Sequence, residues 1–182
     1  MGRPLSLLLL LAFSPAATAA EEPAIERLTA TAAGGKVTVR FTLAHGLANG
    51  EMVQALESGL PTSITYFIEI FRDRPYWFNS GLGRSRIEVI CTFNSVTREY
   101  LLNYRRDRKL VRSETFTDLA TLESRMTSIE ERDLFEIGDR LYYKLKVRVK
   151  ADLMRGWLFY VVPWELSTRW RETRVRGAAE AS

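Results

Sequence analysis

Residues 36–43 read Lys-Val-Thr-Val-Arg-Phe-Thr-Leu, apolar at every odd position and polar at every even one. A period of two sends one face into a core and the other into water, which predicts a half-buried strand. Ile25–Thr31 offers it a partner, and Ala33-Gly34-Gly35 supplies a hairpin connector. Met52, Val53 and Leu56 form a helical stripe after Asn49-Gly50, and Gly59 and Pro61 stop it. Residues 62–73 are rich in Ile, Thr, Tyr and Phe and predict a strand. Arg74–Gly83 holds Pro75, Asn79, Gly81 and Gly83 and reads as a loop. Strands follow over 84–93, with Ile87, Val89, Cys91 and Phe93 inward, over 97–104, with Tyr100, Leu102 and Tyr104 on one face, and over 109–115. Asn94-Ser95 and the cluster Arg105–Arg108 turn the chain between them. A second helix starts near Thr117, read as its N-cap, with Asp118 set against the helix dipole. Its stripe is Leu119, Leu122, Met126 and Ile129. Gly138-Asp139 turns into a strand over 140–151. Residues 157–162 are apolar on both faces, Pro163 breaks them, and a short alternating segment reaches Trp170.

The links between strands are mostly of hairpin length, which implies antiparallel pairing. The fold is therefore predicted as mainly β, a β-sandwich or a partly open antiparallel barrel, with two short helices closing its ends or packing on one face. No linker or short-period repeat interrupts the pattern. Residues 21–173 read as a single β-rich domain, and the polar, Ala-rich tail 174–182 as disordered.

The N-terminus changes the picture. Arg3, the apolar run Leu5–Phe13 and the small residues Ala16–Ala20 are the three parts of a cleavable secretory signal over residues 1–20. The apolar run is about half of the ~20 residues a spanning helix needs. The mature chain is thus expected to be periplasmic or secreted and not an integral membrane protein. Cleavage takes Arg3 and no acid, so the formal charge falls from +4 to +3. That small excess and the compartment argue against nucleic acid. Cys91 is the one cysteine, so an intramolecular disulfide is excluded and the core must suffice alone. Its place on the apolar side of a strand reads as a buried thiol.

Catalytic chemistry finds little support. His45 is the sole histidine, it lies in a turn, and no metal-ligand spacing surrounds it. Gly81-x-Gly83 lacks the third glycine and the strand-to-helix setting of a nucleotide loop. No nucleophile elbow, cofactor motif or metal motif is present. A hydrolase built on a carboxylate pair stays open as the weakest reading.

Two features point to binding. Lys144, Lys146, Arg148 and Lys150 occupy consecutive outward positions of strand 140–151, opposite Leu141, Tyr143, Leu145, Val147 and Val149. Such a row suits an acidic protein partner or an anionic envelope component, unless Glu69, Glu88, Glu99 or Glu114 on neighbouring strands neutralise it or its lysines guard an exposed edge strand. Tyr76 and Trp77 lie in the 74–83 loop, as a binding lip or a cap on the sheet's end.

The segments Ile64–Ile70, the Trp77 loop, Val96–Tyr100 and Trp164–Trp170 resemble a bacterial family called domain of unknown function 4390. The resemblance covers nearly all of the mature chain. It implies an exported single domain with no assigned activity, and, through members beside sensor-kinase genes, an accessory role in envelope signalling. Three readings follow: a non-enzymatic binding or accessory module, a carrier of an apolar ligand or lipid, and the carboxylate hydrolase.

Overall fold

The first hairpin forms as the alternation requires. β1 (Ala24–Ala33) and β2 (Lys36–Ala44) pair antiparallel through Gly34 and Gly35. Both glycines have positive φ, 55° and 73°, as the central pair of a type I′ turn must. Val37, Val39, Phe41 and Leu43 are all buried. The computed structural model describes residues 22–47, 50–73, 80–138, 142–155 and 165–177. The expected signal over 1–20 and the apolar segment 157–162 lie outside them, as do Tyr76 and Trp77.

β3 (Thr62–Arg72), β4 (Ser80–Asn94), β5 (Glu99–Arg106) and β6 (Lys109–Phe116) form an antiparallel meander. Two turn readings need correction. Gly81 and Gly83 are in β4, paired with Phe71 and Ile70, rather than in a loop. Gly83 is there for packing: a Cβ on it would lie 3.1 Å from the Phe135 ring. Arg105 and Arg106 stay in β5, and Asp107-Arg108 alone make the turn, with φ of 50° and 70°. The Asp107 carboxylate holds that turn by accepting the Arg86 N–H at 2.8 Å and the Ser85 hydroxyl.

α1 (Gly50–Glu57) buries Met52 and Leu56 as its stripe predicts. α2 (Leu119–Thr127) is capped by Asp118 rather than Thr117, through a 2.8 Å bond from the Thr121 N–H. The helix ends at Thr127, so Ile129 belongs to a strand that the sequence pattern conceals, β7 (Ser128–Glu136). Its polar run Glu130–Asp133 masks the alternation. A bulge, with Asp133 at φ 53°, sets residues 132–134 against Thr38 alone and breaks the period.

β8 (Leu145–Arg155) starts later than residue 140, after a 3₁₀ turn over Tyr142–Lys144, and runs on beyond 151. β9 (Glu165–Ser167) adds to it. β10 (Arg171–Gly177) corrects the predicted disordered tail, since Arg174–Gly177 are paired strand. It lies antiparallel to β8 and parallel to β1, an exception to the antiparallel expectation.

All ten strands among the described residues join one sheet in the order β6-β5-β4-β3-β8-β10-β1-β2-β7, with β9 appended to β8. The sheet curls into an open half-barrel, the second of the two predicted architectures. Its concave face holds the core, including Ile64, Ile68, Val89, Leu102, Val147 and Leu153. Each such side chain contributes about 1.5–3 kcal/mol by leaving water. Tyr66 of β3 crosses this interior, meets Phe41 edge-on at 5.1 Å, and donates its hydroxyl to the Met126 carbonyl of α2 at 2.8 Å. Burial pushes its phenol pKa well up, so the proton stays available for that bond. The two ends of the sheet, β6 and β7, make no backbone ladder with each other.

Candidate functional site

The cationic row of β8 exists, but it is neutralised on the sheet. Lys146, Arg148 and Lys150 alternate with buried Leu145, Val147 and Val149, as the period predicts. Glu69 on β3 takes Nε and Nη2 of Arg148 at 2.8 and 2.6 Å. Lys146 reaches Asp73 and Lys150 reaches Asp152, each at 3.1 Å. Three cations therefore meet three carboxylates. Aromatic faces cover what remains: Trp170 lies 4.6 Å from Arg148, and Phe67 lies 5.0 Å from Lys150. Lys144 sits apart, exposed in the 3₁₀ turn rather than in the strand. The row reads as a satisfied outer face, as cross-strand charge pairing allows.

A different site emerges where the half-barrel fails to close. A groove of about 770 Å³ runs between the β7 edge and the β5, β6 and α2 side of the opening. Six elements each send one arginine to it: Arg27 from β1, Arg40 from β2, Arg106 from β5, Arg112 from β6, Arg125 from α2 and Arg132 from β7. A bulge in β1 between Glu26 and Thr29, with Arg27 at φ 49°, marks the entry of Arg27. Bulges commonly re-aim a side chain at such places.

Three carboxylates serve five of these six guanidinium groups. Glu130 accepts from Arg40 at 3.1 Å and Arg132 at 2.9 Å. Glu114 accepts from Nε and Nη2 of Arg125, both at 2.9 Å, and pairs with Arg112 at 3.2 Å. Glu131, buried within the opening, takes Arg106 at 3.0 Å and the Tyr104 hydroxyl. Arg27 has no ion-pair partner among the described residues. The groove thus carries a surplus of three positive charges, equal to the formal excess of the whole chain without residues 1–20.

The electrostatics follow from these contacts. Hydrogen bonds from Arg40 and Arg132 hold the Glu130 carboxyl below its ordinary range, and a bond from Arg125 does the same for Glu114. The Tyr104 phenol is pushed up, first by burial and then by its bond to Glu131. A glycosidase-type general acid needs a carboxyl shifted upward, and the resolved carboxylate shifts here run downward. No cluster of metal-ligating side chains occurs among the described residues. Cys91 is buried in the core, as the alternation predicts, and His45 lies in the turn after β2. The groove can hold anions, since guanidinium forks match carboxylate and phosphate oxygens two at a time.

A family model described as "Domain of unknown function (DUF4390)" matches residues 20–174. The chain belongs to that family. No curated protein and no solved structure matches it. The DUF4390 match spans every groove arginine and the whole β8 row, so both surfaces lie within the family's domain. The groove could not be read from sequence because its six arginines are scattered over 27–132 without a motif, and because the strand that lines it went unrecognised. No helix among the described residues is long and apolar enough to cross a membrane.

Proposed function

We propose that this DUF4390 protein is an exported, non-enzymatic binding or accessory module that takes an acidic partner or envelope component in the arginine-lined groove. One observation carries the reading: six guanidinium groups from six elements converge on one opening with three carboxylates between them. A positive surplus in a concave site raises the local concentration and on-rate of anions. The β8 row is the lesser candidate, because Glu69, Asp73 and Asp152 already answer it. A guanidinium lining suits charged ligands better than a lipid tail, which favours this reading over the apolar carrier. Export rests on the signal-like residues 1–20 and is checked by N-terminal sequencing of the mature protein.

The groove reading is tested by retention on immobilised poly-L-glutamate. The wild type is expected to bind at low salt and elute as ionic strength rises, because exposed charges are screened within about 8–10 Å. Arg27→Glu with Arg132→Glu abolishes retention, while Lys144→Glu, outside the groove, leaves it unchanged. A double variant that is retained like the wild type overturns the proposal.

A further inference from the structure

We infer that the groove's occupant is an acidic peptide segment in extended form, which adds as a strand to the free edge of β7. The inference rests on the anion-binding reading above and specifies its ligand. Three observations lead to it. First, β7 ends the sheet: among the described residues it pairs with β2 alone, so its other edge has no strand partner there. Second, five consecutive residues of that strand, Ser128–Arg132, line the groove together with Thr29 of β1 and Arg40 and Thr42 of β2, so the cavity takes in the edge strand as well as the sheet beside it. Their register against β2 is regular from Thr42↔Ser128 to Val39↔Glu131, and the bulge begins where the groove's lining ends. Third, the far wall meets β7 through side chains. Tyr104 and Arg106 of β5 reach Glu131, and a whole phenol plus a glutamate side chain separate the strands.

Native edge strands are usually guarded by lysines, prolines or bulges. The regular stretch 128–131 contains neither lysine nor proline, and its inward charge, Glu131, is already answered by Tyr104 and Arg106. Strand addition draws affinity from main-chain hydrogen bonds and specificity from alternate side chains. Alternate residues of a strand recur about 6.6–6.8 Å apart on one face. A peptide with Asp or Glu at every second position therefore presents a carboxylate row to the arginines of either wall. The chain's own carboxylates already show the contact geometry, with Glu114 holding Arg125 through both oxygens. Glu130 and Glu131 do not oppose the ligand, because Arg40, Arg132 and Arg106 answer them and the groove stays positive.

The test uses a synthetic peptide of four Thr-Glu repeats, two analogues N-methylated on the Thr or on the Glu amides, and inorganic tripolyphosphate. The mature protein is expected to bind the unmodified peptide, and one analogue to lose at least about tenfold in affinity while the other holds. Bound peptide is expected to slow hydrogen exchange at alternate amides within 128–132. Equal binding of both analogues, with no change in exchange, overturns strand addition but leaves the anion groove standing. Binding of tripolyphosphate without the peptide overturns the peptide in favour of a phosphate ligand, and again the groove stands. A dimer in sedimentation whose 128–132 amides are already protected assigns the edge to a second copy and overturns the inference. Failure of every anion to bind overturns the groove reading itself.

Discussion

The phenol of Tyr104 on β5 donates to the carboxylate of Glu131 on β7, linking two strands that share no backbone ladder. With Arg106 on the other carboxylate oxygen at 3.0 Å, this contact bridges the open side of the half-barrel at one point, through side chains alone. A buried carboxylate requires such partners, since an unpaired one costs several kcal/mol. Tyr104→Phe keeps the ring beneath Arg112 and removes only the donor. Hydrogen bonds to charged groups contribute about 1.5–3 kcal/mol, so urea unfolding should show a loss in that range. A variant as stable as the wild type would show that Arg106 alone satisfies Glu131.

Glu114 makes the opening sensitive to acid. Its folded-state pKa lies below the ordinary 4.5, chiefly through the Arg125 bond. A depressed carboxylate contributes stability that is complete above its unfolded value and is lost as pH falls through its folded value. The wild type should therefore lose stability below pH 4.5 more steeply than Glu114→Gln. Because Arg125 is half-exposed and Glu114 partly so, the difference is expected at only about 0.2–1 kcal/mol and should shrink in high salt. Denaturation midpoints across an acid series measure it.

Cys91 faces the core from β4, fully buried. Burial pushes its thiol pKa up to about 12. The thiolate is the reactive form, so iodoacetamide at about pH 8 should leave the folded protein unlabelled and modify it once denatured. Mass spectrometry reads the outcome, and rapid labelling of the native protein would contradict the burial.

The neutralised row on β8 predicts a structural role for Arg148. A double-mutant cycle between Arg148→Ala and Glu69→Ala should give a coupling of about 0.2–1 kcal/mol, the range for partly exposed pairs. Trp170→Ala should cost a further ~0.5–1 kcal/mol through the lost cation–π contact. Neither change should alter retention on poly-L-glutamate, whereas groove substitutions should.

Much of the fold was legible because half-buried strands carry their period openly. The segment 36–43 placed all four of its apolar side chains inside, and Met52 and Leu56 did the same for α1. The β8 alternation was also correct in phase. Its charge, however, depends on Glu69 and Asp73, which long-range pairing brings alongside. β7 was hidden because its inward Glu131 is charged, and what makes that tolerable is Tyr104 and Arg106, far away in sequence. β10 was hidden because Val175 is its one large apolar residue. Hydrogen bonds to strands on both sides hold it instead. The groove inherited both difficulties, being made of dispersed arginines on elements of which one was unseen.

β10 also sets the order in which the molecule can be completed. On one side of it lie β8 and the meander β3–β6; on the other lie β1, β2 and β7. Among the described residues those two groups share no ladder except through this strand, which follows the other nine in sequence. A nascent chain without residues beyond Arg171 holds two half-sheets with raw edges and no continuous wall between them. Closure of the sheet therefore waits on its latest described strand, and one short segment decides whether two half-sheets become one wall.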